Sequence, residues 1–132
     1  MQRAAAKYGY SKTVDLSFVQ ALDRTKKALH EQGFGVQAEI DISGALREKL
    51  GVEVPSQVIL GTCNPQLAYK ALQAEPEISL LLPCNVVVRQ KGAQVEVAVI
   101  DAEKLMKFVG NPELKPLAAE AKRRLRAVLE SM

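Results

Sequence analysis

The sequence contains few of the residues that most often bind metals or carry catalysis. Its 132 residues include one histidine, two cysteines and no tryptophan. The single histidine, His30, cannot supply an imidazole cluster for zinc, and it lies near a predicted helix C-terminus, where a positive charge is ordinary. The cysteines form no Cys-x-x-Cys unit and are too few for the disulfide framework of a small secreted protein. These absences exclude a histidine-rich metal centre and a disulfide scaffold.

Long apolar segments are lacking as well. The longest one, residues 78–88, is interrupted by Ser79, Pro83 and Asn85 and falls short of the ~20 residues that cross a bilayer. Residues 1–14 contain no apolar stretch of the length that a signal peptide requires. We therefore predict a cytoplasmic protein with no membrane partner.

The bulk composition is that of a soluble globular domain. Apolar residues make up 48% of the chain and charged residues 25%, which excludes a disordered protein. The net charge of +3 is smaller than is usual for a domain that binds nucleic acid over its whole surface. The length predicts a single domain over residues 1–132, with residues 1–10 poorly ordered because they show little pattern.

The apolar periodicity predicts an α+β domain. Strand-like alternation and helix-like spacing follow one another in the order β-α-β-(α)-β-α-β-β-α-α. This order predicts a single mixed β-sheet of about five strands with helices covering one face. The predicted strands are residues 11–16, 34–42, 57–62, 78–89 and 95–99. The predicted helices begin at Ser17, Ser43, Asn64, Asp101 and Asn111.

The stretch from residue 58 to residue 88 carries both cysteines, each followed directly by an asparagine. Cys63 precedes Asn64-Pro65, a pair typical of a helix start because asparagine accepts from first-turn N–H groups and proline suits the first position. A thiol beside a helix N-terminus can have a lowered pKa and act as a nucleophile or soft-metal ligand. Asn85, within an apolar strand, needs a hydrogen-bonding partner. We therefore predict a binding site made of Cys63, Asn64, Cys84 and Asn85.

The alternative interpretation of the cysteines is that both are small buried hydrophobic residues. Their separation depends on strand direction. In parallel neighbouring strands Cys63 and Cys84 would lie roughly 15–20 Å apart, whereas antiparallel or offset strands could bring them together. The sequence leaves these arrangements open.

Two charged patterns indicate other functions. Glu39 and Asp41 share one face of a predicted strand, as paired carboxylates in acid–base catalysis do and as exposed strand faces often do. The last predicted helix carries Lys115, Lys122 and Arg126 in a stripe that could contact RNA phosphates. No aromatic residue is interleaved for base stacking, and glutamates are mixed with the cations. A solvated face is therefore favoured, and nucleic acid is disfavoured as a partner.

Five short motifs stand in a characteristic order and spacing. They are Gly33-Phe34-Gly35, Glu39-Ile40-Asp41, Leu50-Gly51, Gly61-Thr62-Cys63-Asn64-Pro65 and Leu82-Pro83-Cys84-Asn85. This set resembles the domain-of-unknown-function 302 family over about residues 8–130, and the Cys-Asn-Pro and Pro-Cys-Asn elements are its most specific parts. The resemblance implies a compact α+β domain, often a dimer, from prokaryotes. It implies no established activity.

Together these observations predict a cytoplasmic, homodimeric binding or accessory domain. Its pocket near the two Cys-Asn steps would hold a small anion or a soft metal. The homodimer is predicted from the excess apolar strand surface of residues 78–88. The alternatives are a thiol-dependent redox or transfer enzyme with Cys63 as its nucleophile, and an RNA-binding protein that uses the last helix. The sequence identifies no catalytic residue, cofactor or reaction.

Overall fold

A computed structural model describes residues 3–5 and 7–132, which contain one sheet and five α-helices. The prediction that residues 1–10 are poorly ordered falls partly on residues 1, 2 and 6, which lie outside the described residues. The strands are β1 (Arg3–Ala5), β2 (Gly9–Val14), β3 (Gly35–Asp41), β4 (Gln57–Cys63), β5 (Cys84–Lys91) and β6 (Gln94–Ile100). The helices are α1 (Phe18–Glu31), α2 (Ile42–Leu50), α3 (Pro65–Ala74), α4 (Ala102–Val109) and α5 (Lys115–Glu130).

The sheet has the strand order β1-β2-β6-β5-β4-β3, and every neighbouring pair is antiparallel. The predicted α+β class and element order are confirmed, with the short edge strand β1 added to the five expected strands. A mixed sheet was expected, and the sheet is antiparallel throughout. Apolar periodicity reports which side of a strand is buried, and it carries no information about strand direction.

The core lies between the sheet and the helices α1 and α5. Alternate residues of the strands point toward these helices, as the two-residue repeat of a strand requires. The helices contribute Ala21, Ala28, Leu29, Leu125, Val128 and Leu129. The strands contribute Val14, Val58, Leu60, Val86, Val88, Val95, Val97 and Val99.

Two predicted helix starts are confirmed by their capping hydrogen bonds. Ser17 and Gln20 form a reciprocal capping box at the start of α1, with distances of 3.1 and 3.2 Å. The Asn64 side-chain oxygen accepts from the Leu67 N–H at 3.0 Å, so α3 begins at Pro65 as the Asn-Pro pair predicts.

Several predicted boundaries differ from the structure. The first predicted strand, residues 11–16, is displaced to Gly9–Val14, and Asn111 begins a 3₁₀ turn (Pro112–Leu114) that precedes α5. Asp41, rather than Ser43, accepts the first-turn hydrogen bond of α2. Residues Pro76–Leu81 form a 3₁₀ turn instead of a strand, and β5 begins only at Cys84. The prolines at 76 and 83 have no N–H to donate to a strand ladder, so they exclude this leucine-rich stretch from the sheet.

Candidate ligand-binding site

A cavity of about 100 Å³ lies where the ends of β4 and β5 meet the helices α3, α4 and α5, and it is open to solvent on one side. Most of the side chains that form it are aliphatic. The lining residues are Phe34, Thr62, Cys63, Asn64, Leu67, Ala68, Ala71, Ile78, Leu82, Pro83, Cys84, Ala102, Met106, Leu114, Leu117, Ala118 and Ala121.

The antiparallel pairing of β4 with β5 brings the two cysteines to this cavity. Thr62 stands opposite Cys84, and Cys63 is the next residue of β4. The Thr62 hydroxyl donates to the Cys84 carbonyl at 2.8 Å, which stabilises this register. Both cysteines are half-buried and neither forms a disulfide. The parallel arrangement, which would have separated the thiols widely, does not occur.

The thiol of Cys84 is held in its protonated form. Burial raises its pKa to about 11, and the neighbouring Cys63 acts in the same direction. A protonated thiol is a poor nucleophile and only a weak hydrogen-bond donor. At neutral pH the wall therefore presents Cys84 to the cavity as a nearly apolar, uncharged group.

Asn85 does not reach the cavity. It pairs with Gly61 across the two strands, and its exposed side chain lies on the sheet face opposite to that of Cys84. Its amide is therefore accessible to water. On the same face Gly61 leaves room for Pro83, because a Cβ atom on Gly61 would lie 2.9 Å from Pro83 Cγ. Three of the predicted site residues, Cys63, Asn64 and Cys84, thus meet at one cavity, and the fourth lies elsewhere.

The wall supplies no group for proton transfer. None of the lining residues is an aspartate, glutamate, histidine, lysine or arginine. In the part of the chain that the structure describes, no group of three or more His, Cys, Asp or Glu residues could hold a metal ion. His30 is exposed near the C-terminus of α1, outside the wall. The arrangement therefore suits binding by contact better than acid–base chemistry.

Glu39 and Asp41, the paired carboxylates of the sequence, have separate structural partners. Glu39 forms an ion pair with Lys26. Asp41 accepts from the Ser43 hydroxyl at 2.7 Å and from the Gly44 N–H at 2.9 Å, and these hydrogen bonds lower the pKa of Asp41. The first carboxylate joins α1 to β3 and the second begins α2, so each has a structural role.

Two arginines of α5 are paired with a carboxylate on the same helix. Arg123 and Arg124 each lie 2.6 Å from a Glu120 oxygen. Hydrogen bonds from Arg123 and then Arg124 lower the pKa of Glu120 to about 2. These arginines therefore have a carboxylate partner on their own helix, which reduces the charge that they offer to a phosphate.

A polar cluster at the contact of α5 with β2 and α4 was not predicted. The Tyr10 ring centre lies 5.4 Å from Lys122 Nζ and 4.6 Å from Arg126 Cζ. Lys122 also lies 2.9 Å from a Glu103 oxygen and 3.6 Å from the buried Asp101 carboxylate, and the hydrogen bond to Glu103 is the main cause of its raised pKa. Lys122 and Arg126, two of the three residues in the predicted RNA-binding stripe, therefore interact with other side chains of the protein.

Most of the cavity wall gave no distinct signal in the sequence. Leu67, Ala68 and Ala71 of α3 have the spacing of an ordinary buried stripe, and so do Ala118 and Ala121 of α5. The available signal was the small size of these alanines, since small residues on facing helices leave a space between them. Which helices face each other is decided only in the fold.

Comparison with known proteins gives the family. The family model described as "Domain of unknown function DUF302" matches residues 10–132. The chain belongs to the DUF302 family. This confirms the resemblance seen in the sequence motifs, and the family name assigns no activity.

A solved structure supports the same assignment. The crystal structure of uncharacterized conserved protein DUF302 from Bacillus stearothermophilus has a TM-score of 0.88 to this chain at 30% sequence identity. The similarity covers 95% of this DUF302 chain and 98% of that one. No curated protein matches the chain. Within the described residues, no helix has the length and apolar character that a membrane span requires.

Proposed function

We propose that this DUF302 domain is a ligand-binding domain whose site is the cavity beside Cys63, Asn64 and Cys84. The observation that carries the proposal is the convergence of β4, β5, α3, α4 and α5 on one space that their side chains leave unfilled. Protein interiors are normally close-packed. Because this cavity of about 100 Å³ is open to solvent, its apolar wall stays in contact with water, which is unfavourable by about 25 cal/mol per Å² of apolar surface. A ligand in the cavity would offset that cost.

Native mass spectrometry on protein purified under reducing conditions tests the proposal. Ala71 lines the cavity, whereas Ala119 is exposed on α5 outside it. We expect the wild type and the control variant Ala119→Leu to carry a bound mass that the variant Ala71→Leu lacks, because the larger side chain fills the cavity. Three proteins with the same bound mass, or three without any, would contradict the proposal.

We also propose that the domain acts as a cytoplasmic homodimer through the sheet face that α1 and α5 leave uncovered. Four apolar residues stand side by side across four strands on that face, since Ala98 pairs with Val87, Val87 with Ile59, and Ile59 with Ile40. Ile40 is 48% exposed. A second copy of the face would remove this row from water.

Sedimentation velocity measures the homodimer, and cell fractionation measures the location. We expect the wild type to sediment as a dimer at micromolar concentration and Val87→Lys to sediment as a monomer. Thr13→Lys, which places the same charge in a polar row of that face, serves as the control and should remain dimeric. A monomeric wild type would remove the dimer from the proposal and leave the ligand site unaffected.

A further inference from the structure

We infer that the occupant of the cavity is an uncharged apolar molecule, or the apolar end of a larger one, rather than an anion or a metal ion. The inference rests on the proposed function, because it assigns a chemical class to the ligand of that same site. It differs from the small anion or soft metal that the Cys-Asn pairs of the sequence indicate.

The surface of the cavity is formed almost entirely by the carbon atoms of apolar side chains. Leu67 and Ala71 from α3, Met106 from α4 and Leu117 from α5 line the cavity together. None of the lining residues carries a charged side chain. Removing apolar surface from water stabilises a complex by about 25 cal/mol per Å². This is the main favourable contribution that such a wall can make.

Two polar oxygen atoms of the wall already have partners within the protein. The Thr62 hydroxyl donates to the Cys84 carbonyl at 2.8 Å, and the Asn64 side-chain oxygen accepts from the Leu67 N–H at 3.0 Å. The Cys84 thiol keeps its proton, with its pKa raised to about 11 by burial. A charged ligand would lose its hydration here and would find no opposite charge, so its binding is disfavoured.

An anion finds little support at the start of α3. Pro65 has no N–H, the Leu67 N–H is bound by the Asn64 side chain, and the Ala68 N–H is bound by the Asn64 carbonyl. In the first turn only the N–H of Gln66 remains. Helix N-termini bind phosphate and carboxylate groups through several free N–H groups together with the helix dipole. This N-terminus is therefore poorly suited to anion binding.

A metal ion would have at most two protein ligands, the thiols of Cys63 and Cys84. The wall contains no imidazole and no carboxylate. Thiolates select soft ions such as Cu(I), and a thiol must lose its proton before it binds. The raised pKa of Cys84 opposes that step. Cu(I) is consequently the strongest metal competitor and the one that the experiment must include.

The size of the cavity limits what it encloses. An apolar cavity of about 150 Å³ holds benzene. A cavity of about 100 Å³ therefore has room for roughly four or five heavy atoms, and a longer ligand extends through its open side.

Methyl NMR and thermal unfolding with three probes test the inference. The probes are 1-hexanol, inorganic phosphate and Cu(I), each added to the reduced wild type, Ala71→Leu and Ala119→Leu. We expect 1-hexanol to shift the methyl resonances of Leu67 and Met106 and not that of Leu50, which is 69% exposed on α2. We expect the melting temperature to rise by roughly 5 °C at a concentration ten times the Kd. Ala71→Leu should lose both effects and Ala119→Leu should keep them.

The outcomes separate this inference from the proposed function. If phosphate or Cu(I) stabilises the wild type more than 1-hexanol, and Ala71→Leu abolishes that effect, the apolar class is wrong and the ligand site remains. If no probe shifts the Leu67 or Met106 methyl resonances and native mass spectrometry finds no bound mass, the inference and the proposed function both fail.

Discussion

The two halves of α5 face regions that are packed differently. In its C-terminal half, Leu125, Val128 and Leu129 are 0% exposed and pack into the core beneath the sheet. In its N-terminal half, Ala118 and Ala121 line the cavity. The apolar spacing is the same along the whole helix, so the two regions differ in side-chain volume and not in pattern.

The opposite wall of the cavity repeats the same feature. Helix α3 presents Ala68 and Ala71 to the cavity, and none of its residues is buried. Alanines on two neighbouring helices leave a space that leucines would fill, because the helix backbones are held apart by the larger residues around them. One amphipathic helix can therefore form a packed core at one end and the wall of a binding site at the other.

The largest expected effect is the loss of a leucine on the packed side. Leu125→Ala should lower the free energy of unfolding by about 3 kcal/mol, because it leaves a new void in a close-packed core. Leu117→Ala, on the cavity side of the same helix, should cost only about 1 kcal/mol, because its side chain is half-buried and already borders open space. Urea unfolding measures both values, and equal losses would show that the two regions are packed alike.

The next largest expected effect is on the alkylation rate of Cys84, because its thiol is protonated. Its pKa of about 11, against an ordinary value of 9.0, lowers the thiolate fraction near neutral pH by about 100-fold. We expect iodoacetamide to alkylate Cys84 about 100-fold more slowly in the folded protein than in urea. The folded-state rate should rise until the pH approaches 11.

Tryptic peptide mapping reports this rate separately from that of the other thiol. Cys63 lies on the peptide of residues 50–70 and Cys84 on that of residues 71–89, because cleavage follows Lys70 and Arg89. Equal rates for Cys84 in the folded and the unfolded protein would indicate that water fills the cavity and hydrates the thiol.

Gly61 lies at the boundary between the packed core and the cavity, since Leu60 before it is in the core and Thr62 after it lines the cavity. Gly61→Ala should lower the free energy of unfolding by about 2 kcal/mol, because the new methyl group would lie 2.9 Å from the rigid Pro83 ring. Gly35→Ala is the matched control. Its nearest atom is the end of the flexible Gln37 side chain at 3.3 Å, so a change below about 0.5 kcal/mol is expected.

Chemical denaturation measures both glycine variants. A loss of the same size in the two would mean that glycine is needed for the strand conformation in general and not for the approach of Pro83. A change in the methyl resonance of Met106 in Gly61→Ala alone would show that displacement of Pro83 reaches the cavity.

The smallest expected effect is the change in stability with pH that is due to Glu120. This residue lies on the outer face of α5, outside both the packed core and the cavity. The pKa of Glu120 lies at about 2, below its ordinary 4.5, through hydrogen bonds from Arg123 and Arg124. A lowered carboxylate pKa contributes stability that is present above pH 4.5 and is lost as the pH falls toward 2. Because the group is well solvated, this contribution is small.

Unfolding in urea at about pH 5 and about pH 3 measures this contribution. We expect the wild type to lose slightly more stability between the two pH values than Glu120→Gln does. An equal loss in the wild type and the variant would show that these ion pairs contribute nothing to folding.

Local signals in the sequence were sufficient for much of the fold. The Ser17–Gln20 capping box and the Asn64-Pro65 pair each predicted a helix start, since a cap and the N–H groups that it binds lie within one turn. Asp101 and Gly110 likewise bound α4 as predicted. Residues 78–81 were predicted as the start of a strand and belong to the 3₁₀ turn Pro76–Leu81, because apolar runs without periodicity do not distinguish the two.

The candidate site depended on the tertiary structure to a greater extent. The sequence singled out Cys63, Asn64 and Cys84 through their motifs, but it left the separation of the thiols open, because periodicity does not encode strand direction. The antiparallel register of β4 and β5 decided that separation, and it also placed Asn85 on the other face of the sheet. The cavity exists because alanines of α3 and α5, distant in the chain, line the same space, and only the packed fold brings them together.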